Sequence, residues 1–380
     1  MGTMSHRERF LTAVKHGIPD RVPACPCLSN MVPVRRLGIP FWDVYLHNDP
    51  PLWRAYLDAI RYYGIDGRMI YGSLDIRTRE DNVSRETTTL TKTEERIHTR
   101  TVIHTPLGDL SSETIYAADD PPAVVVKLIK NIAEDMPKLR YLYPEYVSYS
   151  SEKADAMRKE TGEDAVFCLQ VGYPGFHNFE GMFDGGLSSA VYAFMEHPDL
   201  FEEMRVLQHA DAVAKARMML DYKPDILYLG GSGTLTLSSP EWVREFTLPT
   251  LKVITRMAKE AGVPTMLHSC GRSSAFLEML AAETDLDCIN PLEKPPMGDV
   301  ELKDVKEMYG SRLSLSGNIH TTDVMLRGTA ADVDEACRRA IEDAAAGGGF
   351  ILMTGDQCGR DTPDENIFAF VAAAKKYGKY

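Results

Sequence analysis

The sequence predicts an α/β fold: a (β/α)8 TIM barrel occupying residues 1–380 as one domain, with an inserted β-hairpin or meander near residues 85–118. Eight short apolar runs lie near residues 22, 69, 166, 226, 265, 287, 313 and 350, mostly each followed by a helical pattern, and eight strands close such a barrel. No glycine-rich phosphate fingerprint follows the first run, which argues against an open doubly wound sheet. Between Arg85 and Tyr116 helical spacing gives way to alternation, so this stretch interrupts the βα series.

Taken in order, Ser5-His6-Arg7-Glu8 is a capping box that opens a helix to about Lys15, ended by Gly17. Asp20-Arg21-Val22-Pro23-Ala24-Cys25 reads as a turn entering a first strand, with Pro23 tolerable near its start. Leu52–Tyr63 has helical spacing, and Met69-Ile70-Tyr71 follows as a second strand. Thr88–Thr93 and Thr101–Thr105 alternate in a β-branched background, with Pro106-Leu107-Gly108-Asp109 as a turn. Residues 118–149 combine Pro121-Pro122 with one amphipathic helix. Beyond residue 150 strand and helix alternate: strands at 165–171, 225–230, 264–268, 286–290, 313–317 and 350–353, with helices between them and a last helix at 362–377. Ser239-Pro240-Glu241 opens one of these helices with proline in its first turn.

Lys and Arg total 42 against 55 Asp and Glu, a net charge of −13, and that field repels nucleic-acid phosphates and anionic lipid. The seven cysteines are odd in number and scattered, which argues for a reducing compartment rather than a disulfide framework. Met1–Phe10 carries charges instead of an apolar signal core, and no run approaches a membrane span, so a soluble cytoplasmic protein is expected.

Active-site groups of such barrels lie just after the strands. After the fifth comes His268-Ser269-Cys270-Gly271, and after the sixth Asn290-Pro291-Leu292-Glu293. The seventh leads into Gly317-Asn318-Ile319-His320, and the eighth into Gly355-Asp356-Gln357-Cys358. His268 and Cys270, two residues apart, face one side of an extended segment. With Cys358 at the same rim they offer one imidazole and two thiolates, a set that suits Zn2+ and leaves a fourth position open. Each taken alone has a plainer reading, a satisfied barrel histidine or a small buried thiol. Glu293 is a candidate fourth ligand or a solvated partner of Lys294. Asp356 can ligate or hold a ligand's ring N–H. Asn318 and Gln357 can orient a substrate oxygen. Cys25 and Cys27 form a C-x-C without a second pair, while Cys168, Cys288 and Cys337 fall in apolar runs and read as core.

Arg7-Glu8-Arg9 with Pro19-Asp20-Arg21-Val22-Pro23, Ser239-Pro240, Gly317-Asn318-Ile319 and Thr362-Pro363-Asp364-Glu365-Asn366-Ile367 together resemble the uroporphyrinogen decarboxylase superfamily over nearly the whole chain. The resemblance implies a TIM-type barrel. Within the superfamily, the stretch Ala24-Cys25-Pro26-Cys27-Leu28-Ser29-Asn30-Met31 holds no arginine before Arg35, whereas the decarboxylase clamps a polycarboxylate with arginines there. His268, Cys270 and Cys358 match the zinc ligands of the corrinoid-linked methyltransferase branch, which is similar to methylcobamide:coenzyme M methyltransferases. An acidic cluster found in some relatives after the preceding strand is replaced by Gly230-Gly231-Ser232-Gly233-Thr234.

The resemblance therefore implies Zn2+ on this chain, a corrinoid (cobalamin) carried by a partner protein, and a small methyl donor or acceptor. Two directions fit: O-demethylation of a methyl ether such as a methoxylated aromatic, which is favoured, or transfer from a methylcorrinoid to a zinc-bound thiol. Two other expectations compete, a metal-free lyase using Asp356 and His268 as acid and base, and a non-catalytic binding subunit.

Overall fold

The computed structural model describes residues 3–79 and 82–380; Met1 and Gly2 of the charged stretch Met1–Phe10 lie outside the described residues. Its strands are β1 (Gly67–Gly72), β2 (Asp75–Thr78), β3 (Ser84–Lys92), β4 (Arg96–Thr105), β5 (Gly108–Ala117), β6 (Ala123–Val126), β7 (Tyr146–Ser150), β8 (Ala165–Gly172), β9 (Ile226–Gly230), β10 (Thr265–His268), β11 (Cys288–Asn290), β12 (Ser314–Ile319) and β13 (Phe350–Thr354). Seven of them form one parallel sheet in the order β1-β8-β9-β10-β11-β12-β13, with helices on the connections, which is the predicted α/β barrel.

The strand predicted near Val22 differs from the other seven. Residues 21–27 make isolated bridges, Ala24 with Leu352 and Cys27 with Gln357, and no ladder. The Cys25 N–H donates to the Leu352 carbonyl at 2.9 Å, and the Asp66 N–H donates to the Ala24 carbonyl at 2.8 Å. This segment thus closes the barrel between β13 and β1. Pro23 and Pro26 supply no N–H, so the eighth stave is held by single bonds rather than a ladder.

The insertion is larger than the sequence pattern suggests. β3, β4, β5 and β6 form an antiparallel sheet, and its fourth strand begins directly after Pro121-Pro122. A separate antiparallel pair, β2 with β7, also lies outside the barrel sheet. β6 and all but the last residue of β7 fall in residues 118–149, where short strands that follow prolines leave little periodicity to read.

Strand alternation sorts the core into two layers. Val166, Cys168, Ile226, Met266, Cys288 and Ile351 point into the barrel and pack with Phe10, Ala13 and Val14 of the first helix, His6–Val14. That helix begins with the Ser5/Glu8 capping box and covers the end of the barrel where the strands start: the Ser314 hydroxyl donates to the Ala13 carbonyl at 2.9 Å. Residues of the opposite parity, among them Phe167, Leu169, Leu227, Leu229, Leu267 and Leu352, pack outward in the main hydrophobic core. With one end plugged by helix, the open end is left for a site. No helix among the described residues is long and apolar enough to cross a membrane.

Asp66 fastens this arrangement. Its fully buried carboxylate accepts from His6 Nδ1 (2.9 Å), Arg9 Nη1 (2.7 Å), Arg21 Nη1 (2.7 Å) and the Ala24 N–H (2.8 Å), joining the plug helix, the proline-broken stave and β1. Burial alone would raise its pKa, but the hydrogen bond from His6, the Arg21 charge and the Ala24 N–H outweigh it and hold the carboxyl at about 2. Because the folded-state pKa is depressed, this contribution is present above the ordinary carboxylate value of about 4 and is lost as pH falls toward 2. Asp66→Asn, which leaves the largely buried Arg21 without its carboxylate and Arg9 with Asp20 alone, is expected to cost about 3–5 kcal/mol in denaturant unfolding at neutral pH. Its deficit against the parent protein should shrink below about pH 4. Equal stability at neutral pH would show that the stave is held by its backbone bonds alone.

Candidate active site

β10 ends at His268, and the chain continues through Ser269 to Cys270, so both side chains reach the open rim. The loop after β13 brings Asp356 to the same place, and ligand atoms of His268, Cys270 and Asp356 lie within 4.8 Å of one another. His268 Nε2 is 3.9 Å from Asp356 Oδ1. The other ring nitrogen, Nδ1, lies 3.1 Å from Asn290 Oδ1, an acceptor that fixes the proton on Nδ1 and leaves the Nε2 lone pair free. Asn290 is itself fixed, because its amide donates to the Leu267 carbonyl at 2.9 Å.

Burial lowers the His268 pKa, opposed by Asp356 and by the bond to Asn290, a direction that favours the neutral ring, the form that ligates metal. Burial and the neighbouring Asp356 push the Cys270 thiol up to about 12. A divalent cation reverses that ordering by stabilising the thiolate. The donor set therefore fits Zn2+: imidazole, thiol and carboxylate in one group, with the ring already oriented.

Glu293 sits behind this group. It is 7% exposed and accepts from the Gly271 N–H, which lies directly after Cys270. Burial dominates its pKa, opposed by that N–H, and raises it to about 7. Gly271 has φ +81, and a Cβ there would lie 2.0 Å from Thr236 Oγ1, so glycine is required for the chain to turn from Cys270 toward Glu293.

Cys358 stands outside the group of three. Its side chain is buried and its N–H donates to the Cys27 carbonyl at 2.8 Å, two residues beyond Asp356 on the same loop. Gln357 faces the main cavity and donates to Asn30 Oδ1 at 2.7 Å. Asn318 is placed elsewhere: it lines a second cavity with His320, Asp332 and Arg339, because the end of β12 borders the helix Ala330–Ala344 there.

The main cavity, of about 630 Å3, opens between these loops and is lined by Arg68, Gln170, His177, Tyr228, His268 and Asp356, among others. Gly230, Gly231 and Ser232 also line it. A Cβ on Gly231 would lie 2.1 Å from the Tyr173 hydroxyl, so the glycine lets this loop close against Tyr173. Sequence reasoning passed over Arg68 and His177. A charged residue directly before Met69-Ile70 in an apolar strand was the available signal for Arg68, whereas a histidine in an irregular turn carries none.

The uroporphyrinogen decarboxylase (URO-D) family model matches residues 96–377. Among curated proteins, the chain is 30% identical over 167 residues to a methylated-thiol–coenzyme M methyltransferase of Methanosarcina mazei, covering 43% of this chain and 41% of that protein. It is 27% identical over 168 residues to methylcobamide:CoM methyltransferase MtbA of the same organism, covering 43% and 46%. The chain thus spans less than half the length of these relatives. A solved structure of a methyltransferase from Methanosarcina mazei superposes with a TM-score of 0.65 at 19% identity, covering 98% of this chain and 99% of that one, a likeness of fold. With the matched segment running from the inserted sheet through every later barrel strand to the last helix, the chain belongs to the uroporphyrinogen decarboxylase family.

Proposed function

We propose that this protein is a zinc-dependent methyltransferase exchanging a methyl group between a small methylated substrate and a corrinoid carried on a partner protein. The observation that carries the reading is the convergence of His268, Cys270 and Asp356 at the open rim, with Cys358 two residues along the same loop. A zinc ion held there would supply a Lewis acid for the heteroatom that gives up the methyl group, or would lower the pKa of a thiol that accepts it.

The chain's own residues set the geometry. Asn290 holds the His268 ring so that Nε2 faces Asp356. Glu293, poised near neutrality, takes or returns a proton at its buried oxygen beside Gly271. The cavity walls of Gln170, Asn30 and Gln357 provide amide groups that orient a polar substrate. The favoured substrate is a methyl ether such as a methoxylated aromatic: one imidazole and two anionic ligands make a site of net zero charge, which polarises a neutral oxygen. The second reading, transfer to a thiol, is favoured by the names of the two relatives, both of which act on coenzyme M by those names.

The test is methyl transfer from methoxylated benzenes to a reduced, Co(I) corrinoid protein, followed by its absorbance change, before and after chelator dialysis. Turnover that disappears on chelation and returns with added zinc is expected. Full methyl transfer after complete zinc removal would remove the metal from the reaction, and no methyl transfer with or without zinc would leave the metal-free lyase chemistry of Asp356 and His268 as the better reading.

A further inference from the structure

The chain treats its buried arginines in two ways. Arg9, 4% exposed, is paired with Asp20 (2.6 Å) and Asp66 (2.7 Å). Arg21, also largely buried, is paired with Asp66 at 2.7 Å. Arg68, on β1, is 1% exposed, yet among the described residues no carboxylate lies within ion-pair distance of it. Its guanidinium instead donates to the Tyr228 hydroxyl (2.8 Å) and to Asn290 Oδ1 (3.3 Å), with Cys27 Sγ at 3.7 Å and the Tyr228 ring centroid 5.0 Å away. These are neutral partners, and an uncompensated buried cation is costly. Arg68 also lines the main cavity.

A second observation points the same way. His177 lines that cavity, is 6% exposed, and has no hydrogen-bond partner on either ring nitrogen among the described residues. A buried imidazole with both nitrogens unpaired is the signature of a missing ligand or water. The remaining polar lining near Arg68 is amide and hydroxyl, from Gln170, Asn178, Ser29 and Ser232; the acid in the wall, Asp356, belongs to the His268 group.

We infer that the cavity is a binding site for a small monoanion, whose carboxylate or sulfonate docks on Arg68 while the rest of the molecule extends past His177 toward His268 and Cys270. Asn290 Oδ1 sets the scale, since it serves both Arg68 and His268. The anionic group and the atom at the metal group are therefore separated by a short spacer, within reach of a single ring or a short alkyl chain. Arg68 gives charge selection, because a neutral analogue leaves the guanidinium uncompensated and a dianion brings a second charge into a cavity with one cation. The choice of methyl ethers and thiols as carriers of that anion rests on the methyl-transfer reading. The anion site itself does not.

The experiment is calorimetric binding to the full-length, zinc-loaded chain, with no turnover required. One arm compares 4-methoxybenzoate with 4-methoxybenzamide, a second compares 3-mercaptopropionate with 3-mercaptopropionamide, and a third compares 2-mercaptoethanesulfonate with 2-mercaptoethanol. In at least one arm the anion is expected to bind on the order of tenfold to a hundredfold tighter than its neutral partner. Which arm shows it identifies the carrier. In Arg68→Met that preference should vanish, and Arg68→Lys should restore part of it. The parent protein's preference is itself decisive should Arg68→Met fail to fold. Equal binding of anion and neutral partner in all arms, or a preference that persists in folded Arg68→Met, overturns the inference. Charge-selective binding without methyl transfer would sink the proposed function and leave the anion site standing, whereas methyl transfer with no charge preference would do the reverse.

Discussion

Cys270→Ala is expected to reduce zinc from about one per chain to near none and to lower methyl transfer on the order of a thousandfold or more. Cys270 follows β10 at the rim, and its thiol is one of three donors within 4.8 Å of each other. Alanine leaves the His268 imidazole with one anionic donor from the loop that carries Asp356 and Cys358, a pair too sparse to retain Zn2+ through dialysis. Elemental analysis together with turnover decides the matter, and circular dichroism checks that the barrel has survived. Zinc retained at one per chain by Cys270→Ala would remove this thiol from the ligand set.

The second large effect separates Cys358 from Asp356. Cys358→Ala is expected to lose zinc and turnover together, although its thiol stands outside the group formed by His268, Cys270 and Asp356. Zn2+ favours thiolate over carboxylate oxygen in such sites, and Cys358 lies two residues from Asp356 on a loop flanked by Gly355 and Gly359. Asp356→Asn should retain most of the zinc and lose activity about 10- to 100-fold, as removal of a group that supports a ligand does. Cobalt substitution gives an independent count, because the sulfur-to-metal absorption band grows with each thiolate. Loss of zinc in Asp356→Asn with retention in Cys358→Ala would give the third position to the carboxylate and leave a single thiolate in the site.

These two variants also bear on substrate choice. Two thiolates, or one thiolate with one carboxylate, cancel the charge of Zn2+, and the neutral site suits an ether oxygen. Were Glu293 to join as a further anionic ligand, the site would become net negative and favour activation of a thiol.

How far the sequence carried the fold can be judged from single elements. The capping box at Ser5 and Glu8, the helix Leu52–Tyr63 and the parallel strands from β8 to β13 were all legible, since capping and periodicity are local properties of the chain. The first stave was legible as an extended segment but not as an exception to the ladder. Whether Pro23 and Pro26 break the pairing depends on which neighbours, β13 and β1, lie beside them. The strands β6 and β7 are short and follow prolines, and only their partners β5 and β2 define them.

For the site, the sequence by itself determined that the strand ends carry His268, Cys270, Glu293, Asp356 and Cys358, because in a barrel the residues following each strand share one rim. Tertiary structure alone brought Asp356 within 4.8 Å of His268 and Cys270 and turned Asn318 toward a different cavity. It also decided that, among the described residues, Arg68 is buried without an acid and His177 is left without a partner. The physical reason is that a residue's position along the chain is a local property, whereas its partners are supplied by segments distant in sequence. Arg68 meets Tyr228 and Asn290 only once β1, β9 and β11 share one barrel wall, and its missing counter-charge is a property of that assembled wall.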